Sequence, residues 1–128
     1  MNIYLDVNGV LIDKYLKPAK GVVDFLKHTT EKHTVYWLTT HCKGGENNAV
    51  WYLKGKLPKE AHDYIEKIKV TDWSTWKTEA IDFSQDFRWL DDTVYRAELD
   101  MLREHGCEDK LIQIDLEKDP NQLSMVKI

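Results

Sequence analysis

The spacing of hydrophobic residues along this chain changes character several times. "NIYLD" (2–6) is a short apolar run of strand length that stops on Asp6. Over 19–32, Val22, Phe25 and Leu26 fall on one face at helical spacing. "HTVYWLTT" (33–40) is β-branched and aromatic, which predicts a second strand. Gly44 and Gly45 interrupt the chain, and 46–56 then has helical character. Pro58 suits a first helical turn, with Ala61, Tyr64, Ile65 and Ile68 following at i, i+3, i+4 and i+7. A short third strand is expected near 68–71, and a helix from Trp76, capped by Ser74 or Thr75. "DFRWLDD" (86–92) predicts a fourth strand and "KLIQID" (110–115) a fifth. Between them, 94–105 presents Tyr95, Leu99 and Leu102 on one helical face, with Gly106 as the stop. Beyond Asp115 only a short tail is expected.

Strands alternate with helices from end to end. That order predicts an α/β fold of three layers, Rossmann-like, with a mainly parallel five-stranded sheet covered on both faces. The length of 128 residues fits one domain over 1–128, with no repeat, low-complexity tract or linker. A hydrophobic content of 42% is enough for a packed core. The net charge of −4 argues against strong non-specific attraction to nucleic acid. No apolar stretch approaches a membrane span, and the N-terminus enters a strand without a basic leader, so a soluble cytoplasmic domain with no membrane partner is expected. Cys42 and Cys107 lack metal-ligand spacing and are expected to be free thiols.

In a parallel sheet of this kind, ligands sit beyond the carboxyl ends of the strands. The residues found there are Asp6 after the first strand, Thr39 and Thr40 after the second, and Asp91 and Asp92 after the fourth, with Lys77 ahead of the fourth. Hard carboxylate oxygens suit Mg²⁺, which prefers one or two protein carboxylates plus phosphate oxygens. Lysine and hydroxyl groups suit phosphoryl oxygens, and a carboxylate can itself be a phosphoryl acceptor.

These motifs resemble those of the haloacid dehalogenase-like (HAD) superfamily of phosphohydrolases. "DVNGVL" (6–11) is similar to its DxDGV[LT] motif, "VYWLTT" to its apolar strand ending in Ser or Thr, Lys77 in "TWKTEAI" to its motif lysine, and "RWLDD" to its terminal acidic pair. The resemblance spans 3–92. "WLTTHC" followed by an Asn-Ala pair is also similar to HAD-like domains attached to RNA-repair proteins. The resemblance implies that Asp6 attacks phosphorus and carries the phosphoryl group, that Thr39 binds a phosphoryl oxygen, and that Lys77 neutralises charge there. It implies Mg²⁺ held by Asp6, Asp91, Asp92 and the backbone carbonyl of Asn8.

Asn8 departs from the family pattern, which has an aspartate there as general acid and base. An amide can neither give nor take a proton at neutral pH, and loss of positioned acid–base catalysis costs roughly 10²–10⁴-fold in rate. Four explanations stand: a weak phosphatase for good leaving groups such as aryl or acyl phosphates, a non-hydrolysing phosphate or Mg²⁺ binder, an Asn where the natural protein has Asp, or a proton supplied by another residue, with His41 nearest. A phosphatase and a catalytically impaired binding or scaffold domain are therefore the two readings. A two-component receiver also pairs a phosphorylated Asp with Thr, Lys and an acidic pair, but its acidic pair follows strand one and its phosphoacceptor strand three, the reverse of this order.

Other residues carry simpler alternatives. Thr40 rivals Thr39. Asp92 can cap the helix beginning near 94. Trp73 and Trp76 can stack on a substrate ring or pack over the sheet. Lys43, Lys54, Lys56 and Lys59, with Trp51 and Tyr52 among them, form either an anion-binding patch or a solvated helix face. Residues 9–18 leave room for a turn and flap only, and 40–76 for core elements, so no cap domain is expected. An open cleft suits a phosphorylated macromolecule, such as a protein or a nucleic-acid end, or a small substrate enclosed by another subunit.

Overall fold

A computed structural model describes residues 1–128. Its sheet has four strands, all parallel: β1 (Asn2–Leu5), β2 (Thr34–Trp37), β3 (Phe87–Asp91) and β4 (Leu111–Gln113), in the order β2-β1-β3-β4. The helices are α1 (Val22–Lys32), α2 (Ala49–Lys54), α3 (His62–Ile65), α4 (Arg96–Glu104) and α5 (Gln122–Met125). No helix is long and apolar enough to cross a membrane.

The five-stranded expectation is corrected to four. Residues 68–71 do reach the free edge of β2, but as a single bridge between Tyr36 and Lys69. Lys69 N–H donates to the Val35 carbonyl at 2.9 Å, and Trp37 N–H donates to the Lys69 carbonyl at 2.7 Å. The next rung is taken by a side chain: the Thr71 hydroxyl donates to the Trp37 carbonyl at 2.5 Å. A side-chain bond across the two segments here replaces a backbone one and ends the ladder. The vestigial strand nevertheless sits where the third strand of a 3-2-1-4-5 doubly wound sheet belongs, so the strand order reverses between β1 and β3.

Period-two alternation sorts the strand residues onto two faces. Ile3, Leu5, Val35, Trp37 and Leu90 join the core beneath α1, α2, α3 and α5. Tyr4, Leu38, Phe87 and Trp89 join a smaller core closed by Trp73, Ile81, and Leu102 of α4. Two elements differ from the sequence expectation on this second side and at the C-terminus. The segment after Trp76 is a 3-10 turn, Lys77–Ala80, rather than a long helix. Ser74 and Thr75 do not cap it as acceptors; their backbone N–H groups, with that of Trp76, donate back to the Glu79 carboxylate at 2.8–3.1 Å. The tail folds as α5 and returns to α1: Leu123 is buried, and Gln122 bonds the Asp115 N–H at 2.7 Å and the Gln113 carbonyl at 2.9 Å. Burial of one leucine in a four-residue helix leaves no period to detect in the sequence.

Because Leu123 closes the larger core, Leu123→Ala is expected to lower unfolding free energy by about 2–4 kcal/mol. Urea denaturation followed by tryptophan fluorescence measures this, and a loss below about 0.5 kcal/mol would show that the C-terminal segment is not part of the core.

Candidate functional site

The strand register builds the site. β1 and β3 pair Asn2 with Phe87 and Tyr4 with Trp89, and Asp6 N–H continues the ladder onto the Leu90 carbonyl at 3.0 Å. Extending the register by one alternation sets Asp6 beside Asp91, on the same face, at the carboxyl ends of both strands. That position is the topological switch point, where two loops diverge and leave a crevice. One carboxylate oxygen from each of Asp6, Asp91 and Asp92 lies within 4.8 Å of the others. Asp6 and Asp91 are buried and Asp92 is exposed.

Lys77 enters from the 3-10 turn on the same face. Its Nζ donates to Asp91 Oδ2 at 2.6 Å and lies 3.5 Å from Asp6 Oδ2. The loop that aims it is held at two points. Glu79 collects the backbone N–H groups ahead of it, and those bonds hold its carboxyl down at about 2. Buried Glu98 of α4 accepts the Lys77 N–H at 2.8 Å and the Tyr95 N–H at 3.1 Å. The start of α4 is therefore satisfied by Glu98, not by Asp92, and the capping alternative for Asp92 is not realised. Asp91 is fixed in turn: Trp89 Nε1 donates to Oδ2 at 3.2 Å and Thr93 N–H to Oδ1 at 3.1 Å.

Three acids face one ammonium, and the imbalance shows in their protonation. Burial, then the neighbouring Asp6 charge, pushes Asp91 up to about 6. Burial raises Asp6 despite the attraction of Lys77, and burial together with the Asp91 charge raises Asp92. For Lys77 burial opposes the charge, but Asp6 and Asp91 outweigh it and hold the ammonium above its usual range. Acids that resist ionisation when crowded ask for a cation. This set of hard oxygens can hold one, whereas the buried thiol of Cys42, pushed up to about 11 by desolvation, offers no ligand in its ordinary state.

Asn8 lies in the turn just after Asp6 and lines the cleft with Gly9 and Asp92. Its amide donates to the Tyr52 hydroxyl at 3.2 Å, and its Oδ1 lies 2.9 Å from His41 Nε2. The rings of His41 and Tyr52 stack with centroids 4.2 Å apart. Burial and the charge of Lys56 lower the pKa of His41. The Asn8 backbone carbonyl accepts no backbone hydrogen bond. Gly9 follows with φ +83°, and a Cβ there would overlap the Asp92 carboxylate. A cleft of about 670 Å³ runs from Asn8, Gly9 and Asp92 to the flap at Asp13–Tyr15 and the loop after β4.

Thr39 is buried at the end of β2, whereas Thr40 is exposed. The Thr39 hydroxyl accepts from the His41 N–H at 3.4 Å and retains its own proton for a ligand. Trp73 is buried and donates to the Thr39 carbonyl at 3.3 Å, so it packs rather than binds. Three lysines of the basic stretch are engaged locally: Lys54 with Glu66, Lys56 over the Tyr52 ring at 3.7 Å, and Lys43 over Trp73 at 5.3 Å. The structure thus brings Asp6, Lys77, Asp91 and Asp92 together, with Asn8 two residues beyond Asp6 and Thr39 just past the end of neighbouring β2. Tyr52 and Glu98 support the site through contacts distant in the chain, which no local pattern signals, whereas Glu79 and Trp89 act on neighbours within their own loop and strand.

Gly9→Ala combines left-handed backbone strain with displacement of Asp92. A loss of about 1–3 kcal/mol in stability is expected, read by urea denaturation; an unchanged midpoint would show that the turn tolerates a side chain and that Asp92 is not packed against it. No family model, curated protein or solved structure matches this chain.

Proposed function

We propose that this protein is a Mg²⁺-dependent phosphohydrolase of the HAD-like kind, a minimal form without a cap, working through an aspartyl-phosphate on Asp6. The observation that carries the reading is the convergence of Asp6, Asp91, Asp92 and Lys77 at one crevice of a parallel sheet. Ligand oxygens sit about 2.1 Å from Mg²⁺, so opposite ones lie about 4.2 Å apart. Carboxylate oxygens already within 4.8 Å of one another need little movement to meet that. Asp6, Asp91, Asp92 and the free Asn8 carbonyl would hold the ion, which supplies positive charge for the phosphoryl oxygens.

The remaining roles belong to the chain. The Asp6 carboxylate attacks phosphorus, and the leaving oxygen departs with its electron pair. Lys77 balances charge on Asp6 and the phosphoryl group, and the spare Thr39 hydroxyl proton meets a phosphoryl oxygen. Water then displaces Asp6. The Asn8 amide holds no exchangeable carboxyl proton and serves neither step as acid or base. Its locked contacts with Tyr52 and His41 favour a second reading, a phosphate- and Mg²⁺-binding scaffold domain that has given up turnover.

Acetyl phosphate hydrolysis separates the two. The enzyme reading expects Mg²⁺-dependent turnover that disappears in Asp6→Ala and rises about ten-fold or more in Asn8→Asp, the size of a restored acid–base group. Binding without turnover in either form would support the scaffold reading.

Mg²⁺ binding is expected to depend on pH with a definite sign. Asp91 titrates at about 6 in the free protein, above the ordinary carboxylate value of about 3.9. Its charged form is the costly one, so this group's contribution to apo stability falls as pH rises through that window. Mg²⁺ binds the charged form, so its stabilisation grows over the same window. At a hundred times Kd it amounts to about 2.7 kcal/mol. Thermal melts with Mg²⁺ or EDTA at pH 5 and 7.5 measure it; an equal shift at both would contradict a site built on Asp91.

A further inference from the structure

Two partly exposed aromatic rings stand on the segments that carry Lys77 and follow the Asp91–Asp92 pair. Trp76 immediately precedes Lys77, and Tyr95 follows the Asp91–Asp92 pair at the start of α4. They are 39% and 60% exposed, large values for residues of this size. Their centroids lie 6.0 Å apart at 57°. The pair is not held by core packing. It is aligned by buried Glu98, whose two oxygens accept the Lys77 and Tyr95 backbone N–H groups. One carboxylate therefore sets the ring pair relative to Lys77, whose ammonium reaches Asp6 and Asp91.

A second observation concerns the leaving group. Both ends of the Asn8 amide are engaged, by Tyr52 and by His41, and the amide has no proton to give to a departing oxygen. With no proton available from Asn8, the favoured leaving group is one that departs as an anion. A phenol is about five to six pKa units more acidic than water, which alkanols resemble, so a phenolate leaves where an alkoxide does not.

Both observations point the same way. We propose that the substrate is an aryl phosphate whose ring rests against Trp76 and Tyr95 while its phosphoryl group faces Asp6. This rests on the phosphohydrolase reading and names its substrate class. In the first step an Asp6 carboxylate oxygen forms the new O–P bond, the P–O(aryl) bond breaks, and its electron pair leaves on the phenolate. In the second, water oxygen bonds phosphorus, the Asp6–P bond breaks with its pair returning to the carboxylate, and one water proton passes to a phosphoryl oxygen, giving dihydrogen phosphate. Offset or edge contacts with the two rings orient the leaving aryl group.

Steady-state kinetics with Mg²⁺ and phenyl phosphate, cyclohexyl phosphate and acetyl phosphate test the proposal. Phenyl phosphate should exceed cyclohexyl phosphate in kcat/KM by about a hundred-fold or more, the lower range of a missing acid. Trp76→Ala and Tyr95→Ala should each lower the phenyl-to-acetyl ratio of kcat/KM about two- to ten-fold, and Trp76→Phe should keep it. The ratio is measured on one preparation, so a partly folded variant does not distort it. Comparable turnover of cyclohexyl and phenyl phosphate, or a ratio unmoved by both alanine variants, would overturn the aryl assignment while leaving a phosphohydrolase. Failure to turn over acetyl phosphate in both the parent protein and Asn8→Asp would remove the underlying reading, and this one with it.

Discussion

Parallel pairing of β1 with β3 forces two carboxylates, Asp6 and Asp91, to the same height on the same face of the sheet. Side chains alternate along a strand, so this placement cannot be relaxed by turning one residue away. The charges are held together by the backbone ladder and by the buried residues beneath it, Tyr4 and Trp89. The rest of the site answers that constraint. Lys77 is drawn between the acids, Trp89 and Thr93 fix the oxygens of Asp91, and Glu79 and Glu98 shape the segment that delivers the lysine.

Such an arrangement is costly to the free protein. Burying a carboxylate beside another raises its pKa, and a single ammonium does not neutralise three acids. A core built for stability alone would place apolar side chains at these positions. Tension of this kind is the mark of a site prepared for a charged ligand. The same tension accounts for Gly9: close approach of the turn to Asp92 requires a residue with no side chain and a left-handed backbone.

Much of this was legible in the residue order. Asp6, Asp91 and Asp92 end strands whose apolar runs are plain, and Lys77 stands ahead of the second of them, so their meeting followed from a parallel sheet. Other features were not legible. The strand expected at 68–71 has the right residue types, but the Thr71 hydroxyl competes with the backbone for the Trp37 carbonyl and cuts pairing to one bridge. Ser74 and Thr75 have the chemistry of caps, yet Glu79 reverses the polarity of that turn. Glu98 looks like a surface residue of an amphipathic helix and is buried, because two orphan N–H groups from separate segments need it. The contacts that lock Asn8 join the turn after β1 to α2, and no local pattern encodes them. Sequence supplied the chemistry of the strand ends, and long-range hydrogen bonds decided how it is aimed.

We propose that Asp6 receives a phosphoryl group. An amide at position 8 leaves no base to speed its hydrolysis, so the aspartyl-phosphate should accumulate. Mass spectrometry of the intact protein after mixing with acetyl phosphate and Mg²⁺, followed by peptide mapping, tests this directly. The expected product carries one added phosphoryl group, labile to hydroxylamine, located on Asp6 and absent when EDTA replaces Mg²⁺. An unmodified protein, or a phosphoryl group on any other residue, would contradict it.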